Sequence, residues 1–210
     1  PETEAAGFRL MRGSVRAWNI SFPGRFRESP TSTARQRRGF TTLTDDLENY
    51  EDLSAYDLDP TDEKALLLAH NECTFIWANR EGWPVGVIMS YIWRQGRFWL
   101  TASNHRARIH ALRRDPRCCV VVTSTGSPLP RNQAVTWKGI CTLHEDEDTK
   151  RWFYPDLSKA LRGEGERARS FQKYLDSPRR VILEVEPTQR IGYDGHKMVS
   201  ATNRWMDDGA

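Results

Sequence analysis

From about residue 59 onward the chain alternates between a two-residue and a helical hydrophobic period, whereas residues 1–43 show no sustained apolar period at all. A helix is predicted to start at Asp59-Pro60-Thr61-Asp62-Glu63 and run to about Asn71. Asp59 can cap it, Pro60 suits its first position, and acids fill the positive end of its dipole. From Cys73 the text becomes strand, turn, strand. CTFIWANR, the turn Glu81-Gly82, PVGVIMSYIW, the turn Gln95-Gly96 and RFWLTAS read as a three-stranded meander. NHRARIHALRRDP has helical spacing through Ile109 and Leu112 and stops at Asp115-Pro116. CCVVVTS and QAVTWKGICTLHE are two further strands around a loop from Gly126 to Asn132. Helical text covers about Asp146 to Asp176, with breaks expected near Pro155 and Gly163, and RRVILEVEPTQRIGYD supplies a sixth strand.

The order β-β-β-α-β-β-α-α-β, with hairpin-length links, predicts a mainly β chain with helices (α+β) built on a small closed antiparallel barrel of six strands. A parallel α/β sheet does not fit it. Four segments follow: a disordered Arg-rich tail over 1–43, an acidic linker over 44–58, the barrel domain over 59–198 and a C-terminal tail over 199–210.

Charge sharpens this division. Residues 1–40 hold eight Arg against three Glu, and residues 45–63 hold nine acids and no base. With a net charge of +3 for the chain, the rest is modestly basic and favours an anionic partner. A targeting segment, a nucleic-acid arm and an over-extended start stand as alternative readings of the Arg-rich tail. The 210-residue chain carries eight Trp, eight Phe and six Tyr, the aromatic mass of a folded protein, and has no run of about 18 apolar residues. We therefore expect a soluble, cytoplasmic protein. Cys73, Cys118, Cys119 and Cys141 form no C-x-x-C pair and are expected as buried thiols. The five His have no metal-ligand spacing, and no nucleophile elbow, phosphate-binding P-loop or zinc-protease motif is present.

The richest constellation is Leu100 to Arg108. A strand end bearing Thr101 and Ser103 runs into a helix start bearing Arg106 and Arg108. Free backbone N–H groups, hydroxyls and guanidinium groups at one helix N-terminus suit a phosphate. A solvated basic helix face is the alternative. Arg113, Arg114 and Arg117 read as surface or dimer-edge charge.

The stretch from Glu81-Gly82-Trp83-Pro84 to Asp115-Pro116, with its A-R-I-x-A-L-R-R-D-P run, resembles the pyridoxamine-phosphate-oxidase-like flavin split β-barrels, in particular the actinobacterial branch that uses coenzyme F420 or FMN. The resemblance spans roughly Asp59 to Met198. It implies a homodimer with the cofactor at the subunit junction, and two-electron transfer to a small organic substrate. It places Thr101, Ser103, Arg106 and Arg108 at the cofactor phosphate, and Val87, Ile88, Met89 and Ser90 along the ring. Trp137 and Lys138 match a strand that the second subunit presents near the cofactor. The segment Val85 to Ile92 lacks the basic residues of the oxidases proper, and ATNRWMDDGA lacks their Arg-containing substrate motif. Pyridoxamine-phosphate oxidation itself is therefore not expected, and the cofactor choice leans slightly to F420. Tyr91, Trp93, Trp99 and Trp137 serve either as a wall for ring and substrate or as barrel core. A binding or storage protein without turnover is the second functional reading, and a nucleic-acid-binding domain using the Arg-rich helix is the third. Neither nucleic acid nor membrane is the expected partner.

Overall fold

A computed structural model describes residues 53–130 and 132–208. The expectations for the tail over 1–43 and for the first part of the acidic linker lie outside them.

Six strands close an antiparallel barrel in the order β1-β2-β3-β6-β5-β4: β1 (Glu72–Ala78), β2 (Pro84–Arg94), β3 (Arg97–Ser103), β4 (Arg117–Thr123), β5 (Gln133–His144) and β6 (Arg180–Asp194). Strand alternation puts Phe75, Tyr91, Phe98, Leu100, Val120, Val135 and Leu183 inside, all buried in one cluster. Gly82 and Gly96 turn the first two hairpins with φ of 83° and 74°, a region closed to most side chains.

Helices finish the core. The helix α1 (Pro60–Ala69) adds Leu66 and Leu67 to the barrel interior, and the Tyr91 hydroxyl donates to the Leu67 carbonyl at 3.0 Å. At the end where β1 and β3 finish, α2 (Ala107–Arg114) contributes Ile109, Ala111 and Leu112. A second apolar cluster lies outside the barrel, where α3 (Glu147–Arg162) and α4 (Glu166–Leu175) roof the outer face of β3. There Phe153, Tyr154, Leu157 and Leu175 pack on Ile92, Trp99 and Ile182.

Three local features differ from the sequence reading. The helix α3 runs unbroken through Pro155, because burial of Phe153, Tyr154, Leu157 and Ser158 on both sides of it outweighs the roughly 3 kcal/mol that an interior proline costs. Gly163, at φ 73°, ends it as expected. The acidic stretch before α1 is not all linker: a 3-10 turn spans Leu53–Tyr56, and Tyr56 and Leu58 are buried. The C-terminal segment expected as a tail from 199 is part of a helix, α5 (Gly195–Asp208), with Ala201 buried.

At one edge of the fold, the buried Glu63 carboxylate accepts from Trp137 Nε1 at 3.0 Å and from Arg190 Nε. Arg190 also donates to both Asp57 oxygens, at 2.8 and 2.7 Å. This network ties the residues ahead of α1 to β5 and β6.

Candidate functional site

The outer surface of the barrel has two unlike halves. The half under α3 and α4 is dry, whereas the half formed by β1, β4 and the adjoining parts of β2, β5 and β6 is covered by no described helix. Reading the register laterally gives one row Ile88, Thr74, Val121, Thr136 and Ile191 across five strands. The next row is Gly86, Ile76, Cys119, Lys138 and Gln189. An outward strand face exposed to water is ordinarily polar. Here Ile88 is 62 % exposed and Ile191 55 %, with Trp83 at 70 % and Ile140 at 41 % beside them. Gly86 keeps the floor flat, since a Cβ there would meet Thr74 Cγ2 at 3.3 Å.

Two depressions abut on this face and form one trough. The upper, about 360 Å³, lies over Ile76, Trp77, Cys119 and Ile140, with Arg117 and Lys138 in its wall. The lower, about 290 Å³, lies over Thr74, Ile88 and Val121 and is walled by His70, Glu72 and Thr123. Along β1 the trough reaches from Glu72 to Ala78, about 20 Å at the usual rise per strand residue. A bulge between Lys138 and Gly139 shapes the upper part, and Thr188 Oγ1 donates to the Lys138 carbonyl at 3.1 Å. Gly139 is required there, since a Cβ would fall 2.6 Å from Val185 Cγ1 and 2.8 Å from the Glu186 carbonyl oxygen.

The upper end is cationic. Arg108 lays its guanidinium 6.0 Å from the centre of the Trp77 ring, which packs in the barrel interior, and Trp77 is among the residues around the upper depression. Burial, with a smaller push from the neighbouring Arg106 charge, holds the Arg108 guanidinium below its ordinary pKa. Its Nε is shielded from solvent and has no acceptor. Arg106 is exposed, and among the described residues neither Arg106 nor Arg108 has a carboxylate partner. By contrast Arg113 pairs with Glu145 at 2.7 Å and Arg117 with Asp115 at 2.7 Å, and the Arg117 hydrogen bonds lower the Asp115 carboxyl to about 2. Arg114 donates to the Ala78 carbonyl at 3.3 Å.

The residues singled out from sequence divide between these places. Ile88 and Ser90 face outward on the bare wall, while Met89 is buried and Val87 packs against the core. Lys138 sits in the upper trough, with Nζ donating to Gln189 Oε1 at 3.0 Å. Trp137 points inward and is held by Glu63. Thr101 and Ser103 lie on the outer face of β3, and the Thr101 hydroxyl donates to the Val181 carbonyl at 3.0 Å. Arg106 and Arg108 thus stand together at the start of α2, neither of them among the residues that line the two depressions, and Thr101 is committed to the backbone. Tyr91 and Trp93 belong to the interior, and Trp99 to the cluster under α3. Three cysteines are buried, and burial raises the thiols of Cys73 and Cys118 to about 12 and raises that of Cys141 too; Cys119, half-buried, lies on the trough face. Sequence reasoning missed His70 and Glu72, which carry no motif and gain a common cavity only when β1 lies beside β4.

No described helix is long and apolar enough to cross a membrane, and among the described residues no cluster of three or more His, Cys, Asp or Glu is arranged to hold a metal ion.

The closed six-stranded antiparallel barrel with helices packed on it is the architecture of the flavin-binding split barrels. The chain belongs to the pyridoxamine 5'-phosphate oxidase family, whose profile matches residues 61–193. Similar solved folds include a conserved hypothetical protein from Mycobacterium tuberculosis, at TM-score 0.59 and 15 % identity, covering 69 % of this chain and 90 % of that one. The haem storage protein of Vibrio cholerae is similar at TM-score 0.51 and 10 % identity, covering 64 % and 94 %. A candidate 5-nitroimidazole antibiotic resistance protein of Bacteroides thetaiotaomicron follows at 0.50 and 15 %, covering 64 % and 82 %. At these identities they share the fold alone. No curated protein matches the sequence.

Proposed function

We propose that the trough binds a phosphorylated flavin-type cofactor, coenzyme F420 or FMN with a slight lean to F420, and that the protein is an oxidoreductase acting on a small organic molecule. The observation that carries this reading is the charge gradient along a flat apolar floor. A molecule with a planar ring and one anionic end fits it in one direction, with its phosphate towards Arg106 and Arg108 and its ring over Gly86, Ile76 and Cys119. The unpaired Nε of Arg108 supports it, because a shielded donor without an acceptor costs about 1 to 3 kcal/mol that a phosphate oxygen would restore. Such a cofactor, when bound, supplies two-electron transfer. The chain's own residues position it: Arg106, Arg108 and Lys138 neutralise the anionic end, and the apolar rows exclude water from the ring.

A second copy of the chain is the proposed cover for the bare wall. Exposed Ile88, Ile140, Ile191 and Trp83 on one contiguous face are the kind of patch that marks an interface, and a self-complementary pairing would close both troughs at once.

The test is equilibrium titration of the purified protein with FMN and with F420, followed by absorbance, with sedimentation on the same samples. Binding of either cofactor to a dimer is the expected result. A monomer, or no spectral change with both cofactors, would refute the reading. Bound cofactor that never turns over with quinones, enones or tetrapyrroles would instead assign the trough to storage.

A further inference from the structure

The lower end of the trough differs chemically from everything above it. His70 closes the C-terminal end of α1, Glu72 opens β1, and Thr123 and Thr125 follow at the end of β4; together they wall a depression of about 290 Å³ whose floor includes Ile88 and Val121. Among the described residues Glu72 has no cationic partner, and it is exposed on the trough side of its strand. His70 Nε2 is shielded from solvent and has no hydrogen-bond partner. The compartment therefore offers a carboxylate, hydroxyls and an unpaired imidazole nitrogen, and holds no fixed positive charge.

We propose that this compartment is the substrate subsite and that it takes a neutral or cationic hydrogen-bonding molecule, with His70 Nε2 pairing to one of its polar atoms and Glu72 turning away anions. Placing it as the substrate's subsite rests on the cofactor reading above; the binding preference of the compartment does not. A carboxylate about 4 Å from a bound anion costs that ligand roughly five- to tenfold in affinity at a hydrated surface, and gives a cation a similar advantage. Phosphorylated and carboxylated substrates are disfavoured at this end, while the cationic upper end attracts them. The chain thereby separates an anion-bearing cofactor from a non-anionic substrate along a single trough. His70 is a positioning residue in this scheme.

Three probes of one shape and three charges test this: benzamidine, benzamide and benzoate, titrated into the full-length 15N-labelled protein with and without saturating FMN. The ring nitrogen resonance of His70, assigned by its disappearance in His70→Asn, reports the lower compartment. The expected result is that benzamidine and benzamide shift this resonance, that benzamidine binds at least about tenfold more tightly than benzoate, and that Glu72→Gln brings the three affinities within about twofold of one another. Benzoate moving the His70 resonance with the affinity of benzamidine, or no probe moving it at all, would overturn the proposal. Failure of FMN to bind while the probes keep their order removes the cofactor reading and leaves the compartment's preference standing. FMN binding normally while the probes show no order removes the subsite alone.

Discussion

Replacing Arg108 with Ala removes the guanidinium that bridges Trp77 and the proposed phosphate position. Two effects separate cleanly. In the free protein the Arg108 side chain is half-buried over the indole at 6.0 Å, a contact worth about 0.5 to 1 kcal/mol of stability, so the fold survives. In the loaded protein the variant loses a charge-assisted hydrogen bond worth about 1.5 to 3 kcal/mol, a roughly ten- to hundredfold weaker Kd. Isothermal titration with FMN, repeated with riboflavin, measures it. Riboflavin lacks the phosphate, so it should bind the wild type weakly and be nearly indifferent to Arg108→Ala. Arg106→Ala should lose affinity in the same sense. Arg113→Ala is the control, because its guanidinium is neutralised by Glu145 at 2.7 Å and lies at the far end of α2. Equal losses for Arg108→Ala and Arg113→Ala would mean a diffuse positive field and no phosphate site. An equal loss of riboflavin and FMN affinity would show that Arg108 acts through packing of Trp77.

Four further outcomes are expected. Removal of residues 1–43 should leave the melting temperature unchanged within error, whereas removal of residues 1–58 takes the buried Tyr56 and Leu58 out of the fold and should lower it by several degrees; differential scanning calorimetry decides. Arg190→Ala leaves Glu63 without its cation and should cost roughly 2 to 3 kcal/mol in urea unfolding. Hydrogen bonds from Arg190 depress the Asp57 carboxyl, so the stabilisation from that pair is complete above about pH 4 and is lost as the pH falls through the depressed value; the Arg190→Ala variant should show a flatter acid limb. Ellman's reagent should titrate Cys119 ahead of the other three thiols at pH 8, because Cys73, Cys118 and Cys141 are buried with raised pKa, and rapid reaction of all four would contradict the packing.

Most of the barrel was legible because its strands alternate and its hairpins carry glycine at the positions with positive φ: Gly82 and Gly96 are local signals for local geometry. What escaped is non-local. Pro155 reads as a helix break until the barrel wall beneath Phe153 and Leu157 is known, and Leu58 reads as linker until β6 supplies Arg190 to the carbonyl of that residue. For the site, the Arg106 and Arg108 pair was visible as a helix start rich in cations. The free hydroxyl of Thr101 was a reasonable inference from its place at the strand end, yet only the register between β3 and β6 reveals that the Val181 carbonyl uses it. His70 and Glu72 lie about fifty residues from Thr123 in sequence, and nothing in their own neighbourhood distinguishes them from surface charge.

The roof of α3 and α4 has an effect beyond the packing of Trp99 and Ile182. A barrel is round and, with apolar residues exposed all about it, would offer partners in several directions and grow into chains. By drying one side, the two helices leave the apolar wall over β1 and β4 as the open sheet face. An object with one adhesive wall stops associating once that wall is used, because the pair presents nothing further to a third copy. In the proposed pairing through that wall, the helical pair on the other side of the barrel favours a closed pair over a growing chain.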